Sequence, residues 1–368
     1  MCTGDCDMHD NRLPVISVVI PVYRAEKYIA QTLESVLAQP YRNIQIVCVD
    51  DGSPDDSVAI VQRYAQEHGN IHILRQENAG VSAARNAGIE YALSQGDGYV
   101  AFLDADDCWA KNAVTPETVS LFQGMDCVGF VSADCAADLM RIKPIKKLEE
   151  QVVSGGADAV TCHNGHHFGA MVCAASLLRR YRIRFDVNLK YSEDLLFRFS
   201  CLYLADQIRL VDQPLYLYRD NPFGVMRARK HGIDYLPDII DGWLRAGAFL
   251  KPYENETRKN TDFFFANPKL YALEMVANHY LMLRSKKELD AFFLKRPDLK
   301  EMILHLTDDE LTEYHRVMFR QYTEDPEKFR RTYVKKGCIR KLRILLTDHK
   351  VFYPMRNKIT YPDPNCYL

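Results

Sequence analysis

The sequence predicts an α/β fold in which a mostly parallel central sheet has helices on both of its faces. Short runs of β-branched residues with the pattern of buried strands alternate with amphipathic segments of helical period, and the connections between them are short. This alternation is typical of parallel strands joined by right-handed crossovers. Acidic or polar residues follow three of the predicted strands. Because ligands bind beyond the carboxyl ends of parallel strands, these residues predict a binding site along one edge of the sheet.

The first strand, the first helix and the second strand have clear boundaries. Val15–Ile20 is a β-branched run, and Pro21, which has no N–H for a ladder bond, is expected to end it. Ala25–Gln39 places apolar side chains on one helical face and is closed by Pro40. A second buried strand follows over Ile44–Val49.

The acidic residues after the second strand fall into two groups. Ser53 is the predicted N-cap of the second helix, and Asp55 and Asp56 are favoured near the positive end of the helix dipole. Asp50 and Asp51 lie before this cap, so helix formation does not explain them. They are therefore candidates for a hydrogen bond to the base or ribose of a nucleotide.

The third and fourth strands complete the predicted edge. Ile71–Leu74 is a short strand, and a helix is expected from about Ser82 to Leu93. The apolar run that begins at Tyr99 reads as a buried strand, and it ends abruptly in carboxylates. These carboxylates belong to Asp104, Asp106 and Asp107.

Crowded carboxylates require a compensating charge or several hydrogen-bond donors, because each one raises the pKa of the next. The sequence has neither a G-x-G-x-x-G after its first strand nor a G-x-x-x-x-G-K-[ST] segment, which argues against a nicotinamide dehydrogenase or a P-loop kinase. Oxygen ligands suit Mg²⁺ or Mn²⁺ rather than zinc. Metal-assisted binding of a nucleotide diphosphate is the economical interpretation, and the alternative is a solvated acidic turn that caps the next helix.

The composition is that of an ordinary globular protein, with 47% hydrophobic residues, 26% charged residues and a net charge of −2. So small a net charge provides no basic field, and no nucleic-acid partner is expected. The 11 cysteines are scattered through the chain rather than spaced as a disulfide framework, which favours a reducing compartment. The sequence shows neither a signal peptide nor the roughly 18 consecutive apolar residues of a membrane span, so we expect a cytoplasmic protein.

Four segments together closely resemble the motifs of glycosyltransferase family 2. They are Val18–Tyr23 (VVIPVY), Val49–Ser53 (VDDGS), Asn78–Gly88 (NAGVSAARNAG) and Phe102–Asp107 (FLDADD). Their order and spacing match as well, and the resemblance covers about residues 15–220. It implies a GT-A nucleotide-diphospho-sugar transferase fold, inverting chemistry and a nucleotide-sugar donor, with a bias towards UDP.

The resemblance also implies roles for individual residues. Asp106, with Asp107 as a second ligand, would hold Mn²⁺ or Mg²⁺, and Asp104 would lie near the ribose or the sugar. The residues implied to bind the nucleotide sugar are Pro21, Val22, Tyr23, Glu26, Asp50, Asp51, Asn78, Gly80, Arg85, Asp104 and Ala105.

Glu193 and Asp194 open a predicted amphipathic helix. Acids are favoured at a helix N-terminus, so the pair can be interpreted as helix caps alone. Enzymes of the resembled family carry a Glu-Asp pair here, often after glycine rather than Ser192, and the Asp is their catalytic base. The resemblance therefore assigns the base role to Asp194, with Glu193 as the second choice. Pro214–Arg219 resembles the closing strand of the family, but Asn221–Gly224 replaces its usual serine-bearing segment, which puts diphosphate contacts from this loop in doubt.

Two further clusters have open interpretations. His163, His166 and His167 lie close together without a recognised zinc spacing, so we interpret them as a polar loop near the acceptor. Residues 330–343 contain seven basic residues interleaved with apolar ones. This basic stretch is expected either to contact an anionic membrane, where lipid-linked acceptors reside, or to form a solvated helix.

We expect a disordered tail over 1–12, a catalytic domain over 13–224 and a helical C-terminal region over 225–368. The catalytic domain would consist of a nucleotide-sugar half (13–123) and an acceptor half (124–224). The predicted function is metal-dependent transfer of a sugar to a hydroxyl of a glycan or lipid-linked acceptor in cell-surface polysaccharide synthesis. A sugar-nucleotide nucleotidyltransferase would share the sheet but would need a Gly-rich basic loop after the first strand. A non-catalytic subunit that binds nucleotide sugars is the other alternative.

Overall fold

The computed structural model of the chain describes residues 13–136, 148–156, 159–160, 167–189, 192–221, 236–262, 264, 293–298 and 301. Several sequence predictions fall outside these ranges. They are the tail over 1–12, the roles of His163 and His166, the basic stretch over 330–343 and most of the helical C-terminal region.

The first half of the chain alternates strands and helices as predicted up to the fourth strand, and a short strand and a short helix that were not predicted follow. Its elements are β1 (Ile16–Val22), α1 (Ile29–Leu37), β2 (Ile44–Asp50), α2 (Ser57–Glu67), β3 (Ile71–Arg75), α3 (Val81–Ser94), β4 (Tyr99–Phe102), β5 (Cys108–Trp109) and α4 (Pro116–Ser120). β1, β2 and β4 are buried along nearly their whole length. Such burial is expected of strands in a sheet that has helices on both sides.

The second half adds strands to the same sheet. Its elements are β6 (Cys127–Cys135), β7 (Gln151–Val153), a 3-10 turn (Phe168–Ala170), β8 (Met171–Ala174), α5 (Ala175–Arg180), α6 (Glu193–Leu204), β9 (Ile208–Arg219), α7 (Leu236–Leu250), a second 3-10 turn (Lys251–Tyr253) and α8 (Glu254–Thr257). The helix expected to open with Glu193 and the closing strand expected to end at Arg219 are both confirmed.

The described strands form one sheet in the order β3-β2-β1-β4-β8-β6-β9-β5, with β7 paired to β9. β3, β2, β1 and β4 are parallel to one another. β8 is antiparallel to both β4 and β6, whereas β6 and β9 are parallel. The α/β class is confirmed, and the sheet is mixed, with its all-parallel part in the half predicted to bind the nucleotide.

The end of β1 differs from the sequence prediction, because the strand continues through Pro21 to Val22. The Val22 carbonyl accepts a hydrogen bond from Asp51 N on the β2 side, and the Val19 carbonyl accepts one from Leu103 N on the β4 side. The backbone groups of successive residues point to opposite sides of a strand. The backbone nitrogen of Pro21 therefore faces β4, as the Val19 carbonyl does. The β1–β4 ladder ends at Val19, so the missing N–H of Pro21 costs no ladder bond.

The predicted N-cap of the second helix was wrong. α2 begins at Ser57, and Asp56 occupies the N-cap position without a side-chain cap. The Ser53 hydroxyl instead accepts a hydrogen bond from Arg24 N at 3.2 Å, and the Ser57 hydroxyl accepts one from Ala25 N at 2.8 Å. The two hydroxyls therefore join the loops after β1 and β2, which lie side by side.

The described part of the C-terminal region packs on α6. The Trp243 ring in α7 lies 4.4 Å from the Phe199 ring in α6. The Lys259 ammonium donates to the carbonyls of Tyr203 and Ala205, at 2.9 and 2.8 Å, where α6 ends. These contacts fix the helix whose first residues are the predicted catalytic acids.

The six cysteines within the described ranges are all free and buried. Among the helices of these ranges, none is both long enough and apolar enough to cross a membrane.

Candidate active site

Asp51 fixes the loop between β3 and α3. It is 3% exposed, and its carboxylate accepts hydrogen bonds from Gln76 Nε2 (2.7 Å), Ala79 N (2.8 Å) and Gly80 N (2.9 Å). The Asn78 side chain donates to the Asp51 carbonyl at 3.0 Å. Asp51, from one predicted motif, and Asn78 and Gly80, from another, therefore lie together at the edge. Contact of Asp51 with a nucleotide stays a prediction.

The other residues predicted around the nucleotide lie at the ends of β1 and β2. Tyr23 is 44% exposed and its ring is available for contact, whereas Val22 is buried. Asp50 is half-buried and accepts a hydrogen bond from Ser53 N at 2.9 Å. Glu26 is exposed and accepts one from Asp56 N at 3.4 Å.

Asp104, just after β4, is the centre of the polar cluster. One oxygen accepts from Arg85 Nη2 at 2.7 Å, and the other lies 3.3 Å from the Tyr216 hydroxyl and 3.8 Å from His167 Nε2. Burial alone would raise the pKa of Asp104, but the charge of Arg85, the nearby His167 ring and the hydrogen bonds from Arg85 and Tyr216 hold it below its usual value. Asp104 is therefore held as a carboxylate.

Asp107 is almost completely buried, with 1% exposure. Its oxygens accept from the Tyr216 hydroxyl at 2.6 Å and from Arg219 N at 2.7 Å. Burial, followed by the charges of Asp106 and Asp104, raises the pKa of Asp107 well above its usual value. Burial and the neighbouring carboxylates thus both disfavour the charged form of Asp107, and a bound cation would offset that cost.

Asp106 is half-buried and faces the end of β9. Its Oδ2 accepts from Asn221 Nδ2 at 2.9 Å, and Asn221 Oδ1 accepts from the Tyr28 hydroxyl at 3.3 Å. Burial raises the pKa of Asp106; the Asn221 hydrogen bond opposes this shift and the Asp104 charge adds to it. The preceding residue, Ala105, is buried, and its carbonyl accepts from the Thr32 hydroxyl at 2.9 Å.

His167 joins Asp104 and Asp107 in a group whose ligand atoms all lie within 4.8 Å of one another. The sequence prediction placed the metal on Asp106 and Asp107, so this group shares Asp107 with it and adds two residues. Burial lowers the pKa of His167 against the opposing charges of Asp104 and Asp194, which favours the neutral imidazole that binds metals.

The orientation of His167 is defined by its neighbours. Its ring stacks on the Tyr216 ring at 4.2 Å, and its Nδ1 accepts a hydrogen bond from Gly169 N at 3.2 Å. The proton of the neutral ring therefore lies on Nε2, on the side of Asp104. Ligation of a cation through Nε2 requires that this proton move to Nδ1 and that the bond to Gly169 break.

Glu193 and Asp194 have different surroundings at the start of α6. The Glu193 carboxylate accepts from Arg85 Nη1 at 3.0 Å. Burial raises the pKa of Glu193; Arg85 opposes that shift and Asp194 adds to it. The Asp194 carboxylate is half-buried and accepts no hydrogen bond from the described residues. Asp194 is thus the acid of the pair that is not held by Arg85, and its role as the base stays a prediction.

Arg85, predicted to lie around the nucleotide, bridges Asp104 and Glu193 and is 3% exposed. Its contact with a nucleotide stays a prediction. Sequence reasoning missed Tyr216, because its position in β9 has the pattern of a core strand. It interpreted His167 as part of a polar loop near the acceptor, because the carboxylates beside it are distant in the chain.

The fold is the GT-A fold of nucleotide-sugar transferases. In a comparison with solved structures, the chain is similar to Staphylococcus aureus TarS residues 1–349, crystallised with UDP-GlcNAc. The superposition has a TM-score of 0.63 at 19% identity and covers 89% of this chain and 92% of TarS 1–349. At this identity, the similarity is one of fold.

Sequence comparison defines the family. Residues 17–175 match the model of the protein family described as "Glycosyl transferase family 2". An uncharacterized glycosyltransferase of Haemophilus influenzae is 31% identical over 194 residues, which are 52% of this chain and 72% of that protein. The uncharacterized glycosyltransferase EpsJ of Bacillus subtilis is 28% identical over 217 residues, which are 57% of this chain and 62% of EpsJ. The matched region thus spans less than two thirds of EpsJ. The chain belongs to glycosyl transferase family 2.

Proposed function

We propose that this chain is a metal-dependent inverting glycosyltransferase that moves a sugar from a UDP-sugar to a hydroxyl group of an acceptor. One observation carries the proposal: carboxylates from two distant parts of the chain converge on one buried arginine at the edge predicted to bind the nucleotide. The side chains in this cluster are Asp104, Asp106, Asp107, Glu193, Asp194 and Arg85. TarS, which has a similar fold, was crystallised with UDP-GlcNAc, which supports a UDP-sugar as the donor.

The donor side would be formed by the ends of β1, β2 and β4. The exposed ring of Tyr23 and the half-buried Asp50 are available to the nucleoside. Asp104, Asp107 and His167, with Asp106 beside them, are the residues that would hold Mn²⁺ or Mg²⁺. A bound divalent cation would offset the negative charge that develops on the diphosphate as it leaves.

Asp194 would act as the general base. Its carboxylate takes the proton of an acceptor hydroxyl while that oxygen forms a bond to the anomeric carbon of the sugar. The bond between this carbon and the diphosphate breaks, and its electron pair leaves with UDP. A single displacement inverts the anomeric centre. Asp194 is favoured over Glu193 because Glu193 is already paired with Arg85.

The acceptor would be a glycan or a lipid-linked glycan in the cytoplasmic synthesis of a cell-surface polysaccharide. This part of the proposal depends on the family resemblance of the catalytic motifs. The basic stretch over 330–343 would provide a peripheral contact with an anionic membrane.

Asp194→Asn is the direct test of the base. We expect this variant to bind UDP as the wild type does and to release UDP from a UDP-sugar about 10²–10⁴-fold more slowly, the usual contribution of a general base. Asp97→Asn is a matched control, because Asp97 is 84% exposed and pairs with Arg179 away from the cluster. Wild-type turnover in the Asp194 variant would show that another residue is the base. A product with a retained anomeric configuration would exclude a single displacement.

A further inference from the structure

Arg85 is a buried arginine with a carboxylate at each end of its guanidinium group. Nη2 lies 2.7 Å from Asp104 Oδ1, and Nη1 lies 3.0 Å from Glu193 Oε1. The Arg85 side chain is 4% exposed, and those of Asp104 and Glu193 are 24% and 16% exposed. The pairings therefore connect α3, the segment after β4 and the start of α6 within the interior.

Two aromatic rings determine the direction of the guanidinium group. Its central carbon lies 4.4 Å from the Phe168 ring centre and 5.2 Å from the Phe185 ring centre. Phe185 in turn stacks on Phe197 of α6 at 4.2 Å, with an angle of 1° between the planes. A planar cation packed against these two rings can pair with both carboxylates, whereas a single ammonium group has no such fork.

The charges make this arrangement interdependent. A buried cation is costly unless it is paired, and removal of one partner from a buried pair leaves the other charge uncompensated. Arg85 is compensated at both ends of its guanidinium group, by Asp104 at 2.7 Å and by Glu193 at 3.0 Å. The cation and its two carboxylates therefore stabilise one another's charged forms.

Glu193 lies directly after a residue in an unusual backbone conformation. Ser192 has φ 62° and ψ 21°, in the left-handed region that non-glycine residues rarely adopt. Glu193 and Asp194 are the first two residues of α6, so the direction of Asp194 depends on this turn. The bond from Arg85 to Glu193 anchors the turn one residue before Asp194.

We propose that Arg85 is a positioning residue that joins the donor side of the site to the base, holding Asp104 with one nitrogen and Glu193 with the other. The inference rests on the proposed function, because it takes Asp194 as the base and Asp104 as part of the donor side. Glu193 is then a second positioning residue and takes no proton. Loss of the bridge turns Asp194 away from the acceptor without removing any group that reacts.

Glu193→Gln and Glu193→Ala separate positioning from proton transfer. Glutamine keeps an oxygen that accepts from Arg85 but loses the negative charge, so we expect Glu193→Gln to release UDP from a UDP-sugar about two- to fivefold more slowly than the wild type. Alanine removes the acceptor, so we expect a loss of about tenfold or more, the scale of a lost hydrogen bond to a charged group. A base at Glu193 would instead make glutamine as damaging as alanine, at about 10²–10⁴-fold.

Arg85→Lys and the double variant Arg85→Lys/Glu193→Ala test the bridge itself. We expect Arg85→Lys to lower kcat by about tenfold or more, because lysine presents one point charge in place of the fork. The double variant should be no slower than the slower single variant, because residues that act as a unit are not additive. Arg179→Gln is the control, since the exposed Arg179–Asp97 pair has a contact of similar length, 2.8 Å, away from the site.

The assays are UDP release from UDP-glucose, UDP-galactose and UDP-GlcNAc, and calorimetric titration with UDP and Mn²⁺. The Glu193 variants should bind UDP as the wild type does, so that their loss lies in kcat. If Arg85→Lys does not fold, the comparison of Glu193→Gln with Glu193→Ala still shows whether Glu193 positions the base or transfers a proton. Equal rates for Gln and Ala at Glu193, or losses that multiply in the double variant, would overturn the inference. A wild-type protein that releases no UDP from any of the three sugars would instead overturn the proposed function.

Discussion

Asp51→Asn tests whether the buried Asp51 carboxylate, just after β2, holds the loop between β3 and α3 in place. Oδ1 of Asp51 accepts from Gln76 Nε2 and Ala79 N, and Oδ2 accepts from Gly80 N. Asparagine can place its carbonyl oxygen at only one of these positions. Its amide group then faces a backbone N–H, so that at least one buried donor loses its acceptor.

The expected cost follows from this geometry. Loss of one hydrogen bond to a charged group, with a donor left unpaired, costs about 1–3 kcal/mol, and we take about 2 kcal/mol for Asp51→Asn. For a domain of the size of the predicted catalytic domain, 13–224, that loss lowers the melting temperature by about 4–8 °C. Because Asn78 and Gly80 are held by the same group, the affinity for UDP should fall as well.

Asp50→Asn is the matched control. Asp50 is half-buried and accepts one hydrogen bond, from Ser53 N, which an asparagine oxygen can accept equally well. We expect little change in melting temperature for this variant in differential scanning calorimetry. If Asp51→Asn unfolds at the same temperature as Asp50→Asn, the Asp51 carboxylate does not stabilise the loop between β3 and α3.

Two further predictions concern the packing of the site. In Gly169→Ala the new Cβ would clash with the Tyr216 ring, so we expect a loss of about 1–3 kcal/mol in urea unfolding, whereas Gly69→Ala, with no described atom within 4 Å of its Cβ, should be neutral. Equal stabilities for these two variants would contradict the packing. Lys259→Met removes two hydrogen bonds to the end of α6 and should cost about 1–3 kcal/mol in the same assay, while Lys251→Met at an exposed ion pair should have no measurable effect. A stable Lys259→Met variant would show that the C-terminal segment does not support α6.

The sequence was sufficient for the parts of the fold that depend on local patterns. Apolar runs and the acidic residues that follow them identify β2 and β4, and they place Asp51 and Asp104 at one edge. The family resemblance added Glu193 and Asp194, which lie near that edge although they are distant in the chain.

What sequence reasoning missed depends on long-range contacts. In the sequence, Tyr216 has the appearance of an ordinary core residue of a strand. Only the order of strands in the sheet places its hydroxyl beside Asp104 and Asp107. His167 belongs to a histidine-rich stretch of sequence without a recognised zinc spacing, and the carboxylates beside it come from far earlier in the chain. Ser53 was misread as a cap because its competing partner, Arg24 N, comes from a neighbouring loop.

The central claim is that acidic side chains after β4 hold a cation together with the diphosphate of a UDP-sugar. The most direct measurement is calorimetric titration of the protein with UDP in Mn²⁺ and again in EDTA, for the wild type and for Asp106→Asn. We predict that the wild type binds UDP at least about tenfold more tightly with Mn²⁺, and that Asp106→Asn loses most of this difference, since one hard-oxygen ligand is replaced by a neutral amide. Equal affinity of the wild type for UDP in Mn²⁺ and in EDTA would contradict the claim.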